Sequence, residues 1–222
     1  MPDIASESAK DAGSLKLLGG RLCLDYANTA DWHASEHPEE FLTSYSDLVV
    51  WSQHAGILTE RQAKRLLLKA ADHPQEATAV LQRAVILREA IYAIFAAIAH
   101  GRKPAAADLQ TLNAALTETL AQSKIVVAQE GFSWEWAGED DALSRPLWPV
   151  IRSAADLLTS SELDRVGQCA DDRGCGWLFL DTSRNHTRRW CDIKDCGNRA
   201  KAQRHYERKR SSTLGVLSGQ VI

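Results

Sequence analysis

The chain has 222 residues, 45% hydrophobic and 25% charged, with a net charge of -3, the make-up of a globular protein with room for one good-sized domain and a small second one. No stretch approaches the roughly 20 apolar residues that span a membrane. The polar start, Met1 to Ser14, lacks the basic residues and apolar run of a secretory signal, so residues 1–14 are expected to be a disordered tail and the chain cytoplasmic.

In chain order, Gly19-Gly20 signals a turn, and Leu22, Leu24 and Tyr26 then alternate with Cys23, Asp25 and Ala27, which is strand periodicity. Ser44 to Ala55 reads as a helix stopped by Gly56. Thr59 and Gln62 have capping-box spacing, and Ala63, Leu66, Leu67 and Ala70 form the apolar face of the helix they open. A long helix starts near Pro74 and stops at Gly101, with a wide apolar face from Val80 to Ile98 that marks it as the central core helix. Pro104 opens another, with Leu109, Leu112, Leu116 and Leu120 inward. Ile125 to Val127, a Glu130-Gly131 turn and Phe132 to Trp136 read as a β-hairpin. Leu147 to Leu158 is a last helix with Pro149 in its first turn. The expected organisation is a helical domain at 15–160, a cysteine-bearing module at 161–210 and a tail at 211–222.

Four of the five cysteines lie between residues 169 and 196: Cys169-x5-Cys175, fifteen residues, then Cys191-x4-Cys196. Two close pairs separated by about that gap are the usual plan of a zinc site. Gly174 and Gly176 give Cys175 the freedom of a tight knuckle. Trp177 to Leu180 reads as a strand, Thr187 to Trp190 as its return, and Asp195 as the cap of a helix starting near Cys196. Four thiolates leave no open coordination position, so such a site is structural. Two disulfides, free thiols, a redox-sensing site on the same ligands, or a histidine (His186, His205) replacing one cysteine are the alternatives. Cys23 reads as a buried small hydrophobe.

Charge is distributed unevenly. Arg184 to Arg210 holds ten Lys/Arg against three Asp/Glu, a basic tip on an acidic remainder and a common footprint of nucleic-acid binding. The expected contacts are Arg184, Arg188 and Arg189 on the hairpin and Arg199, Lys201, Arg204, Arg208 and Lys209 on the helix, with Ala200, Ala202 and Tyr206 packed on the module. Asp181 and Arg199 are candidates for a buried pair. A solvated cationic face is the plainer reading of the same charges.

The stretch Cys175 to Asn185, followed by Arg188-Arg-Trp-Cys191 and Cys196-Gly-Asn-Arg199-Ala-Lys201, resembles the CGNR zinc-finger family. Gly20 to Thr29, Leu87 to Tyr92 and Leu109 to Leu116 are similar to the ABATE domain that accompanies this finger, a family described as stress-induced transcription regulators. The resemblance implies one structural zinc on Cys169, Cys175, Cys191 and Cys196, and DNA binding by the basic C-terminal helix. The five residues between Cys169 and Cys175 depart from the family's common four.

The fold class expected is α+β, mostly helical: an N-terminal helical domain with a few strands and a β-hairpin, plus a small treble-clef-like zinc module. No Gly-rich phosphate loop, His-Glu-x-x-His or nucleophile elbow occurs, so no catalytic residue is assigned and the chain is expected not to be an enzyme. Asp25, Asn28, Trp32 and His33 are candidates for a pocket that takes a small-molecule effector, though such a group more commonly caps a strand. A DNA-binding regulator, possible as a homodimer on paired half-sites, is the first expectation. A zinc-stabilised protein–protein adaptor is the second.

Overall fold

The structure, a computed structural model, describes residues 11–137, 141–171 and 173–217, with side chains through Lys209. Packing begins earlier than the sequence indicates: Asp11 to Ser14 form a turn and Ala12 is buried. The rest of the expected N-terminal tail lies outside the described residues.

The first helix, α1 (Leu22–Ala27), stands where a strand was expected. Both periods fit a six-residue window. The deciding feature is that Cys23, Leu24, Tyr26 and Ala27 all find burial, the i, i+3, i+4 set of a helix face. The Asp25 carboxylate accepts from Gly19 N at 2.7 Å, Cys23 N donates to Ser153 Oγ at 3.1 Å, and the Tyr26 hydroxyl donates to Ala84 O at 2.7 Å. Cys23 is fully buried, which pushes its thiol up to about 12, the inert state expected of it.

A two-residue pair, β1 (Ala30–Asp31) with β2 (Glu39–Glu40), closes the loop that follows. Helix α2 (Tyr45–His54) starts at a Ser44–Asp47 capping box, and α3 (Glu60–Asp72) starts at the Thr59–Gln62 box read in the sequence. The long α4 (Pro74–Ala99) buries Val80, Ala84, Leu87, Ile91, Ile94 and Phe95 and is the centre of the core. In α5 (Ala106–Ala121) Leu112 is buried but Leu120 points outward. Strands β3 (Ser123–Ala128) and β4 (Gly131–Trp136) form the expected antiparallel hairpin, and α6 (Trp148–Leu158) follows with Pro149 in its first turn. No helix among the described residues is long and apolar enough to cross a membrane.

Two short strands carry the chain into the cysteine region. β5 (Val166–Gln168) pairs antiparallel with β6 (Leu178–Leu180), in the register Val166 to Leu180 and Gln168 to Leu178. Successive strand side chains point to opposite faces. Leu178 and Leu180, with Val166, therefore join the helical core, while Trp177 and Phe179 pack among the four cysteines.

Asn28, at the end of α1, clamps this strand as a backbone strand would. Its Nδ2 donates to Leu178 O at 2.9 Å and its Oδ1 accepts from Leu178 N at 2.8 Å, both buried. Asn28→Ala would strand both backbone groups of a fully buried residue, at about 1–3 kcal/mol for each unpaired group. Urea unfolding of zinc-loaded protein is expected to show a loss of about 2–4 kcal/mol. A loss under about 0.5 kcal/mol, the range of ordinary surface changes, would mean that the clamp is not formed.

Candidate metal centre and nucleic-acid interface

Cys169 follows β5, and its backbone N donates to Trp177 O at 2.8 Å, closing the knuckle. In the loop between Cys169 and Cys175, Gly174 N donates to Asp171 O at 3.0 Å, with Gly174 at φ +94°. Cys175 sits between Gly174 and Gly176, the latter at φ +68°. The backbone there is pressed against the loop after β1: a Cβ on Gly176 would lie 2.6 Å from the Ala34 Cβ, and one on Gly174 2.8 Å from Ser35. Tyr92 of α4 donates its hydroxyl to Gly176 O at 3.1 Å, and Gln168 Nε2 donates to that hydroxyl at 2.6 Å.

The second cysteine pair is held differently from the expectation. Thr187 to Trp190 do not return as a strand. The partner of β6 is β5, and Arg188 occupies the place of a ladder. Its Nε donates to Trp190 O at 2.9 Å, its Nη1 to Leu180 O at 3.5 Å and its Nη2 to Cys191 O, while the guanidinium lies 4.3 Å from the Phe179 ring centre. Nor does Asp195 cap the helix. A single π-type turn, Ile193–Gly197, precedes it, capped by Asp192, whose carboxylate accepts from Lys194 N at 2.9 Å and pairs with Lys16 at 2.9 Å. Helix α7 (Asn198–Leu217) then runs past the boundary placed at 210.

The result is four buried cysteines whose Sγ atoms all lie within 4.8 Å of one another. Cys175 and Cys191 are 3.7 Å apart and Cys191 and Cys196 3.6 Å. Four sulfurs about 2.3 Å from one tetrahedral ion stand about 3.8 Å apart, so the donor set has the size and chemistry of a zinc site. Hydrogen bonds from Cys175 and the other neighbouring thiols hold Cys169 far below the usual thiol range, and the same crowding, Cys169 first, pushes Cys191 and Cys196 up. Sulfurs this close cannot all ionise without a cation between them.

Around this cluster the Cys196-Gly-Asn-Arg199 run has separate tasks. Gly197 is buried in the turn, and Asn198 Nδ2 donates to Lys194 O at 2.8 Å. Arg199 donates from Nη2 to Cys196 Sγ at 2.8 Å, from Nε and Nη2 to Asp171 Oδ2 at 3.1 and 2.9 Å, and from Nη1 to Asp195. The partner of Arg199 is thus Asp171 rather than Asp181, whose carboxylate accepts instead from the backbone of Ser183 and Arg188 at 2.8 Å each. Sequence reasoning passed over Asp171 because nothing in the Asp171-Asp-Arg run marks which acid turns inward.

The family comparisons fit this geometry. A family model described as "Putative stress-induced transcription regulator", ABATE, matches residues 20–161. The chain belongs to the ABATE family. The CGNR zinc-finger model matches residues 165–209, and the ABATE chain therefore carries one zinc site at its four clustered cysteines. Both matched families are of regulator and zinc-finger type. Among curated proteins none matches the chain.

Among the described residues, the four expected around a ligand pocket each have partners of their own. Asn28 is the clamp on β6, and Asp25 ties down Gly19, with burial raising its carboxyl to about 6. His33 Nε2 lies 2.9 Å from Glu89 Oε2, while Arg88, itself buried, donates to both Glu40 and Glu89. Burial works to raise Glu89, but the hydrogen bond from His33 and the pair with Arg88 outweigh it and hold the carboxyl at about 2. Trp32, at φ +52°, lies against the cysteine cluster, with Arg199 and Arg173 5.2 and 5.6 Å from its ring centre. These residues seat the zinc module on the helical body.

Ala202 and Tyr206 do not pack on the module: both are exposed, and α7 continues from the π-type turn, its first turn tied to the module through the Arg199–Asp171 pair. Arg184, Arg189, Lys201, Arg204, Arg208 and Lys209 are exposed. Arg189 and Arg204 lie 5.4 and 5.9 Å from the Trp190 ring centre, which joins the loop and the helix in one basic edge.

Because the knuckle is wedged against the body, metal removal should be felt beyond the module. Chelation is expected to lower the midpoint of a single thermal transition for the whole chain, and Gly176→Ala to weaken zinc retention. Two separate transitions, with the upper one indifferent to the chelator, would show the two parts to be uncoupled.

Proposed function

We propose that the chain is a zinc-containing, DNA-binding transcription regulator in which α7 and the Arg184–Arg189 loop contact DNA and the helical domain receives a small-molecule input. The observation that carries the reading is α7 itself: a helix of 20 residues, about 30 Å long, that follows the turn bearing Cys196 and exposes Lys201, Arg204, Arg208 and Lys209. A helix of that length fits the major groove, and nothing about its polar surface supports stability through packing.

Arg204, Arg208, Lys201, Lys209, Arg184 and Arg189 are the phosphate and base contacts in this reading. Arg188 and Arg199 hold the module together and aim α7. A single reader helix binds weakly, and two copies on paired half-sites would raise the avidity.

Fluorescence anisotropy on pooled duplexes at about 50 and 200 mM salt tests the reading, since each neutralised phosphate adds about 0.9 to the salt slope. Wild type is expected to bind with a slope of about -4 or steeper, and Arg204→Ala/Arg208→Ala to lose about 2 of it while retaining zinc. Arg199→Ala is expected to lose binding together with zinc. Absence of binding by zinc-loaded wild type at low salt would remove the DNA reading in favour of a protein partner.

A further inference from the structure

Among the described residues, α4 also borders an opening away from the cysteine cluster. A cavity of about 710 Å³ runs between α4, α5 and the start of α6, within the range of about 300–1,000 Å³ typical of small-molecule sites. Leu87, Ala115, Trp148 and Ile151 are among its walls. The indole of Trp148 is 5% exposed and stacked at 5.6 Å against Trp136 of the hairpin, so this wall is fixed rather than a floppy surface side chain.

Arg83, Thr111, Glu118, Thr119, Gln122 and Ser144 interrupt the apolar lining. Thr119, 1% exposed, forms part of the wall, and its hydroxyl finds no hydrogen-bond partner among the described residues. In a helix interior a threonine hydroxyl ordinarily bonds to the carbonyl four residues back, as Thr78, Thr111 and Thr117 do here. A buried hydroxyl left alone costs free energy that a ligand atom can recover. Arg83 lies on the exposed rim and forms no ion pair among the described residues. Glu118 shares that rim, so the head group received there is decided between one cation and one acid.

We infer that this cavity is the effector site of the helical domain and takes a mainly apolar organic acid, its body against Trp148 and Ile151 and its carboxylate at Arg83. The guanidinium offers a planar fork of donors to a carboxylate. Glu118 presents only acceptors when ionised and excludes a second negative group, which favours a monoacid over a diacid. The site deepens the regulator reading, since α4, which forms one wall, holds the Cys175 knuckle through Tyr92 little more than one helical turn beyond Leu87.

The probe is 8-anilinonaphthalene-1-sulfonate, an apolar aromatic anion whose emission rises on leaving water, titrated into zinc-loaded full-length protein. One saturable site is expected, displaced by dodecanoate and not by dodecyltrimethylammonium. Arg83→Ala is expected to weaken the probe roughly tenfold, and Ala115→Trp to abolish it by filling the cavity. The exposed hairpin side chains Phe132 and Trp134 are the competing adsorption site. Loss of the signal in Phe132→Ser with retention in Ala115→Trp would overturn the assignment, as would preferential displacement by the cationic amphiphile or no saturable binding. Should Ala115→Trp fail to fold by circular dichroism, Arg83→Ala and the two competitors decide alone. Duplex binding by the same protein preparation reports separately on α7, so failure of this site leaves the DNA reading testable in its own right.

Discussion

Four sulfurs buried within 4.8 Å of one another are tolerable only around a cation, and much of the C-terminal half is arranged to meet that condition. A module of some 45 residues buries too little apolar surface to hold itself together, and the metal supplies what the core cannot. Protein groups then complete the site. Arg199 lies beside Cys196 and is neutralised by Asp171, Arg188 gathers the carbonyls on either side of Cys191, and Asp192 caps the turn that presents Cys196. Groups that hydrogen-bond to metal ligands in this way orient them and tune their charge.

The metal cluster is welded to the helical body through one short strand. The residues from Trp177 to Leu180 alternate between two cores, with Trp177 and Phe179 among the cysteines and Leu178 and Leu180 among the helices. A shift of one residue would exchange the two faces, and Asn28 fixes the register by bonding both backbone groups of Leu178. The loop after β1 adds Trp32 on the cluster and Ala34 against Gly176. Folding of the body and loading of the metal are therefore linked, and α7 is held at an angle that both determine.

Much of this was legible in the sequence where local chemistry decides the structure. The capping box at Thr59, the long apolar face of α4, the β3–β4 alternation and the four cysteines each announce themselves over a few residues. The misreadings arise where tertiary context decides. Leu22 to Ala27 fits both periods, and burial of the Cys23, Leu24, Tyr26 and Ala27 face is what decides for a helix. Thr187 to Trp190 has strand composition, but Arg188 takes the carbonyls that a ladder would need. Asp171, Asp181 and Asp195 all lie near Arg199 in sequence or in the expected fold, and no pattern shows that Asp171 and Asp195 take it while Asp181 turns to the backbone. For Asn28 the sequence left two roles open, a pocket contact and a backbone clamp, because a polar residue after an apolar run serves both; its two bonds to Leu178 are of the second kind.

The most direct test of the account is X-ray absorption at the zinc edge on the purified full-length chain. Four sulfur neighbours at about 2.3 Å, with no light-atom ligand, is the result the cluster predicts. A shell containing nitrogen or oxygen, or only three sulfurs, would contradict it and remove the constraint from which the module's geometry follows.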